Sequence, residues 1–197
     1  MIILNDIKII YLTMKFGNTW WGENWLNALR GVDFTNRIPR GKSYANTGKV
    51  YDIEIDGNTI YSKVKGEYYD HYDTSISFNT FNNKEKEIIL ETIRNSPTIL
   101  SALLNHQLPS ELYEELSNNG IEVFPTSVDD ITPDCNCPDY AYICKHIAGL
   151  VHMIANEVDK DPFQVFKLQG CDLLSLLDYQ KTTDDIKSID DLFNNED

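Results

Sequence analysis

Basic charge is what this sequence has least of: 17 Lys and Arg stand against 31 Asp and Glu, a net charge of −14 over 197 residues. Such a surplus favours solubility and argues against general adhesion to nucleic acid or to an anionic membrane. Long apolar runs are also missing. No stretch approaches the ~20 residues of a membrane helix, and the apolar opening MIILNDIKIIYL is broken by Asp6 and Lys8. That opening has neither a basic lead nor a small-residue cleavage site, so it does not read as a signal peptide. Three catalytic signatures are absent: a Gly-rich phosphate loop, a G-x-S-x-G elbow and an H-E-x-x-H pair. Asp70, His71 and Asp73 lie close together, but in a Tyr/Asp-rich turn where such residues serve local hydrogen bonding. The expectation is a cytoplasmic non-enzyme with no catalytic residues, no small-molecule substrate and no membrane contact. Cysteine is scarce as well, and four thiols without a secretion signal read as reduced and available to metal.

The few cations are not spread evenly. Arg30, Arg37, Arg40, Lys42 and Lys49 fall in one stretch opposed only by Asp33, whereas Asp178 to Asp197 holds seven acids against Lys181 and Lys187. Any nucleic-acid contact therefore rests on the first stretch. Arg37, Arg40, Lys42 and Lys49, with Tyr44 interleaved, suit phosphate contact and base stacking in an arginine-rich loop.

Patterning gives the elements. Ile7 to Leu12 reads as a strand. Thr19 is an N-cap before WWGENWLNALR, with Trp21, Trp25, Leu26 and Leu29 on a core-facing stripe, Gly31 as the stop, and Trp20 off the stripe as a stacking surface. Lys49 to Ile55 alternates as a strand, with Val50, Asp52 and Glu54 on one face and Tyr51, Ile53 and Ile55 on the other. Asp56-Gly57 signals a hairpin, Thr59 to Lys65 returns, and Tyr72 to Phe78 is a third strand. Helices follow from Asn83 to Arg94, from Ser96-Pro97 to about Asn105, and from Pro109-Ser110 to Gly120. Ile121 to Phe124 reads as a short strand. Beyond Tyr179 the chain is acidic and Asp/Asn-rich, with Ile186, Ile189, Leu192 and Phe193 able to dock a last helix.

The informative stretch is Asp134-Cys135-Asn136-Cys137-Pro138-Asp139-Tyr140-Ala141-Tyr142-Ile143-Cys144-Lys145-His146, a C-x-C-x6-C-x-H pattern. Three thiolates and an imidazole within a dozen residues suit one tetrahedral Zn²⁺, and four protein ligands leave no position for water or substrate. The ion is thus expected to be structural, held by Cys135, Cys137, Cys144 and His146. Pro138 stops a helix from forming across the first pair. Ile147, Leu150, Val151 and Ile154 then open an apolar helical stripe, so Cys144 precedes the helix and His146 lies in its first turn. Structural zinc of this kind contributes on the order of 10 kcal/mol in small modules. A redox reading, with Cys144 as the resolving thiol, leaves His146 unexplained. Cys171 reads as an ordinary buried thiol and His152 as a helix-surface residue. His71 and His106 carry no assignment.

These residues resemble the SWIM-type zinc finger, and the resemblance runs from about residue 14 to 177. Asp161-Pro162-Phe163 and the helix after it resemble the DPF element that follows the finger in bacterial and archaeal SWIM proteins. Trp20-Trp21-Gly22 and Arg37-Ile38-Pro39-Arg40-Gly41 resemble their WWG and RLPRG elements. Asn46 and Thr47 stand where that comparison leads one to expect further arginines. The resemblance implies a zinc-binding module for DNA or protein, with a Snf-type helicase-like ATPase as its partner; the nucleic acid expected on the basic stretch is DNA or RNA. The alternative is an adaptor that contacts protein alone. The fold expected is α+β: an N-terminal helix with a small antiparallel sheet (1–82), a helical middle (83–120), a zinc-stapled helical unit (121–180) and an acidic tail (181–197).

Overall fold

The computed structural model describes residues 15–32, 35–173 and 175. The expected strand at Ile7 to Leu12 and the acidic tail lie outside these residues. Helix α1 (Trp20–Trp25) starts at Thr19, whose hydroxyl accepts the Gly22 N–H, and runs into a 3₁₀ turn over Leu26–Leu29. The stretch expected as an arginine-rich loop is instead helix α2 (Arg37–Asn46). Gly41 and Pro39 argue against a helix by propensity. Tertiary packing overrides them, because a Cβ on Gly41 would lie 2.5 Å from the Cβ of Ala148 in the finger helix.

Strands β1 (Val50–Asp56), β2 (Thr59–Lys65) and β3 (His71–Phe78) form an antiparallel meander, joined first through Gly57 at positive φ. The register of β1 slips between Tyr51 and Glu54, with Asp52 at φ 49°. That bulge breaks the expected alternation and leaves Ile55 about half exposed. Helices α3 (Asn83–Asn95), α4 (Pro97–Leu104) and α5 (Ser110–Asn118) follow, with Asn82 and Glu85 making a capping box on α3 and Ser96 capping α4 ahead of Pro97.

Residues 121–124 are not a strand. Ile121, Val123 and Phe124 are buried without a ladder, and the carbonyl of Val123 accepts from the Gln169 side chain. The alternating apolar pattern there serves burial alone. The fourth strand, β4 (Ile131–Cys135), pairs with β3 and carries the first cysteine, giving the sheet order β1-β2-β3-β4. Pro133 is tolerated because β4 lies at the sheet edge.

Helix α6 (Lys145–Lys160) is the spine of the molecule. Ten of its residues, from His146 to Val158, are buried, as expected of a helix covered on nearly every side. It packs against α2, α1 and the sheet. His152, expected at the surface, is buried: Nδ1 donates to the Ala148 carbonyl at 2.7 Å and Phe16 meets the ring edge-on. Helix α7 (Phe163–Leu168) follows, with Phe163, Val165, Phe166 and Leu168 buried. One apolar cluster links Phe16 to Leu173.

Candidate metal centre

Three local structures aim the four ligands at one point. Cys135 ends β4 opposite Thr74 of β3. Asn136 then locks onto Asp73, donating from Nδ2 to Oδ2 at 3.1 Å and accepting the Asp73 N–H at 3.0 Å. The chain turns through Cys137 and Pro138 to Asp139. Asp139 Oδ1 accepts the Ala141 N–H and both its oxygens meet the Arg37 guanidinium, at 3.2 and 3.4 Å. Tyr142 ties the far side by donating to the Ile131 carbonyl at 2.8 Å. Cys144 is the N-cap of α6, its sulfur accepting the Ile147 N–H at 3.5 Å, and His146 follows inside the first turn. The expected division, Cys144 before the helix and His146 within it, is the one observed.

The three Sγ atoms and a ring nitrogen of His146 all lie within 4.8 Å of one another. Cys135 Sγ and Cys144 Sγ are each 3.8 Å from His146 Nδ1. A tetrahedral zinc with Zn–S of ~2.3 Å and Zn–N of ~2.0 Å sets S and N about 3.6 Å apart, so the residues fit the ion. The buried Nε2 of His146 faces away from the sulfurs without a partner. The donor set closes the coordination shell, and its zinc is structural. When bound, the ion ties β4, the finger loop and α6 together. The protein's own part is to hold the sulfurs ready. Hydrogen bonding from Cys135 brings the Cys144 thiol down to about 4 against the opposing effect of burial, helped by His146 and the Ile147 amide. The same pairing, with burial, pushes Cys135 up, and burial raises Cys137.

The cationic residues singled out in the sequence divide. Arg37 clamps Asp139 of the finger loop and holds its carboxyl below the usual range. Arg40 Nη2 reaches Glu67 Oε1 at 3.2 Å. Tyr44, expected as a stacking ring, is buried at 6% exposure, with its hydroxyl on the same Glu67 oxygen at 3.1 Å and its ring 5.5 Å from that of His146. Lys49 Nζ sits 4.4 Å over the Tyr44 ring, and Lys42 is exposed on α2. Trp20, expected as a stacking surface, packs against Tyr113 and Phe124.

Sequence reasoning missed two residues at this site. Glu67 accepts from Lys145 Nζ at 2.8 Å, and Tyr72 stacks 4.7 Å from the His146 ring. The turn after Gly66 gave no signal of lying against a helix 78 residues later.

A closed Cys₃His shell between a strand end and a helix start defines the class, a structural zinc finger. Residues 117–155 match the family model of the SWIM zinc finger, and the chain carries that finger there. The uncharacterized protein Rv2102 of Mycobacterium tuberculosis is similar, 29% identical over 159 residues that make up 81% of this chain and 57% of that one. The chain thus spans a little over half the length of this curated relative. No solved structure matches the chain. Among the described residues, no helix is long and apolar enough to cross a membrane.

Proposed function

We propose that this zinc-binding module is a non-catalytic, cytoplasmic protein that binds single-stranded nucleic acid across its finger face, in the company of a helicase-like ATPase. The observation that carries this reading is an arrangement of exposed aromatic rings and cations. Tyr140 at the finger tip is 103% exposed, and Tyr68, at 83%, borders a hollow it shares with Pro138, Asp139, Arg40 and Lys145. Rings left in water beside Arg and Lys suit a flexible polyanion, whose bases stack and whose phosphates pair with cations. Zinc and the Arg37–Asp139 pair hold the finger loop in place, which limits the ordering cost of binding. The acidic remainder of the molecule repels duplex DNA at large and confines binding to this face.

A labelled single-stranded oligonucleotide tests the reading by anisotropy. Tyr140→Ala is expected to weaken binding by about 1–3 kcal/mol, the usual worth of one stacked base. Wild-type affinity in that variant would count against the reading.

The second reading is a protein adaptor with no nucleic-acid contact. A hollow of about 320 Å³ favours it, lined by Ile53, Ile55, Ile60 and Met153 where the β1 edge meets the far end of α6. Capture of a helicase-like ATPase by a chain that binds no oligonucleotide would select this reading.

A further inference from the structure

The contacts around Glu67 are unusual for an exposed acid. One oxygen, Oε1, meets three donors from two helices: Lys145 Nζ at 2.8 Å, the Tyr44 hydroxyl at 3.1 Å and Arg40 Nη2 at 3.2 Å. Three converging donors, two of them cationic, make a cradle of the kind that takes a phosphate oxygen. The carboxylate borders a hollow of about 80 Å³ whose walls include Arg40, Tyr68, Tyr72, Asp139, Lys145 and His146. That exceeds the ~10–15 Å³ that one water requires. His146, only 3% exposed, also lines it, and its Nε2 has no partner. Glu67 itself is carried by neither helix. It lies in the turn between β2 and β3, and its side chain is 48% exposed, so rotation about its own bonds frees the cradle without moving either helix.

We propose that Glu67 is an internal stand-in for a phosphate group, an acidic latch over a phosphate pocket formed by Arg40, Tyr44 and Lys145. A backbone phosphate of single-stranded nucleic acid displaces it, and Tyr68 at the rim takes the adjoining base. This deepens the nucleic-acid reading above and rests on it. The latch accounts for a cationic pocket on a strongly acidic protein: when closed, Glu67 offsets one of the pocket's two cations.

The test uses the full zinc-loaded chain and a labelled single strand of ~12 nucleotides, within the span such sites occupy. Glu67→Gln keeps the side chain's shape and removes its charge, and it is expected to tighten binding about tenfold by removing a like-charge competitor. Glu91→Gln, an exposed acid on α3, controls for overall charge and should change affinity less than about twofold, since distant charges are screened at physiological salt. Arg40→Gln added to Glu67→Gln should abolish the gain. Zinc content, measured on each variant, should remain that of the wild type.

An affinity for Glu67→Gln no better than for Glu91→Gln overturns the latch while leaving the nucleic-acid reading intact. Survival of the gain without Arg40 also overturns it. Failure of every variant to bind the oligonucleotide removes the reading and the latch together. Displacement of the oligonucleotide by inorganic phosphate at matched phosphate concentration would make this a small-anion site and overturn the assignment to a polymer.

Discussion

Glu67 and Cys144 show how single residues carry two roles at this centre. The hydrogen bond from Lys145, then that from Tyr44, hold the Glu67 carboxyl at about 2 instead of its ordinary 4.5. Between those values an unfolded chain takes up a proton there and the folded chain does not. The contribution of this carboxylate is therefore complete above pH 4.5 and lost as pH falls through about 2. An NMR titration of the Glu67 side-chain carboxyl is expected to find its midpoint near 2, and a midpoint at 4.5 would show that the Lys145 contact is not made in solution. Cys144 is both the α6 cap and a member of the metal cluster, two tasks assigned by a single position in the C-x-H pair. Its place just before the helix was legible in sequence, because the apolar stripe from Ile147 fixes where the helix can begin, and the cap itself was not. The burial of His152 was not: its neighbour across the packing is Phe16, and nothing local reveals a contact of such long range.

Among the elements, α2 and α6 define how the finger is supported. Gly41 and Gly149 are the close-approach points. A Cβ on Gly149 would meet Val50 Cγ2 at 3.1 Å and the Gly41 carbonyl at 3.3 Å. Gly22 makes a similar allowance on α1, where Asp159 Oδ1 occupies the space a Cβ would take and Asp159 accepts the Asn18 and Thr19 N–H groups. The WWG and RLPRG elements thus have packing reasons for their glycines. Gly41→Ala is expected to destabilise by about 1–3 kcal/mol through overpacking, read as a fall in Tm of ~2–4 °C per kcal/mol for a chain of this size. An unchanged Tm would mean that the helices do not cross this closely. The α2 helix was misread as a loop because Pro39 and Gly41 look like breakers. Pro39 lies in the first turn, where its missing N–H costs nothing, and Gly41 is selected by Ala148. The hairpin of β1 and β2, the third strand and helices α3 to α5 were legible because their turn and cap residues are local signals. β4 was not, since its ladder partner lies more than fifty residues earlier and Pro133 hides it.

At the scale of the whole molecule, the metal joins what the chain separates. β4 hangs on β3, α6 runs through the core, and the finger loop between them is fixed to α2 through Arg37 and Asp139. The composition, with net charge −14, directed attention to one basic stretch. It did not reveal that Arg37 and Arg40 meet acids brought from elsewhere in the fold. Pairings across 102 and 27 residues are properties of the fold, and no local pattern encodes them.

The central claim is one zinc ion held by Cys135, Cys137, Cys144 and His146, and elemental analysis of protein purified without added metal tests it most directly. The account predicts about one zinc per chain, as four closed ligands require, and little in Cys135→Ser. Zinc-free wild-type protein, or a Cys135→Ser chain that keeps its full zinc, would contradict it.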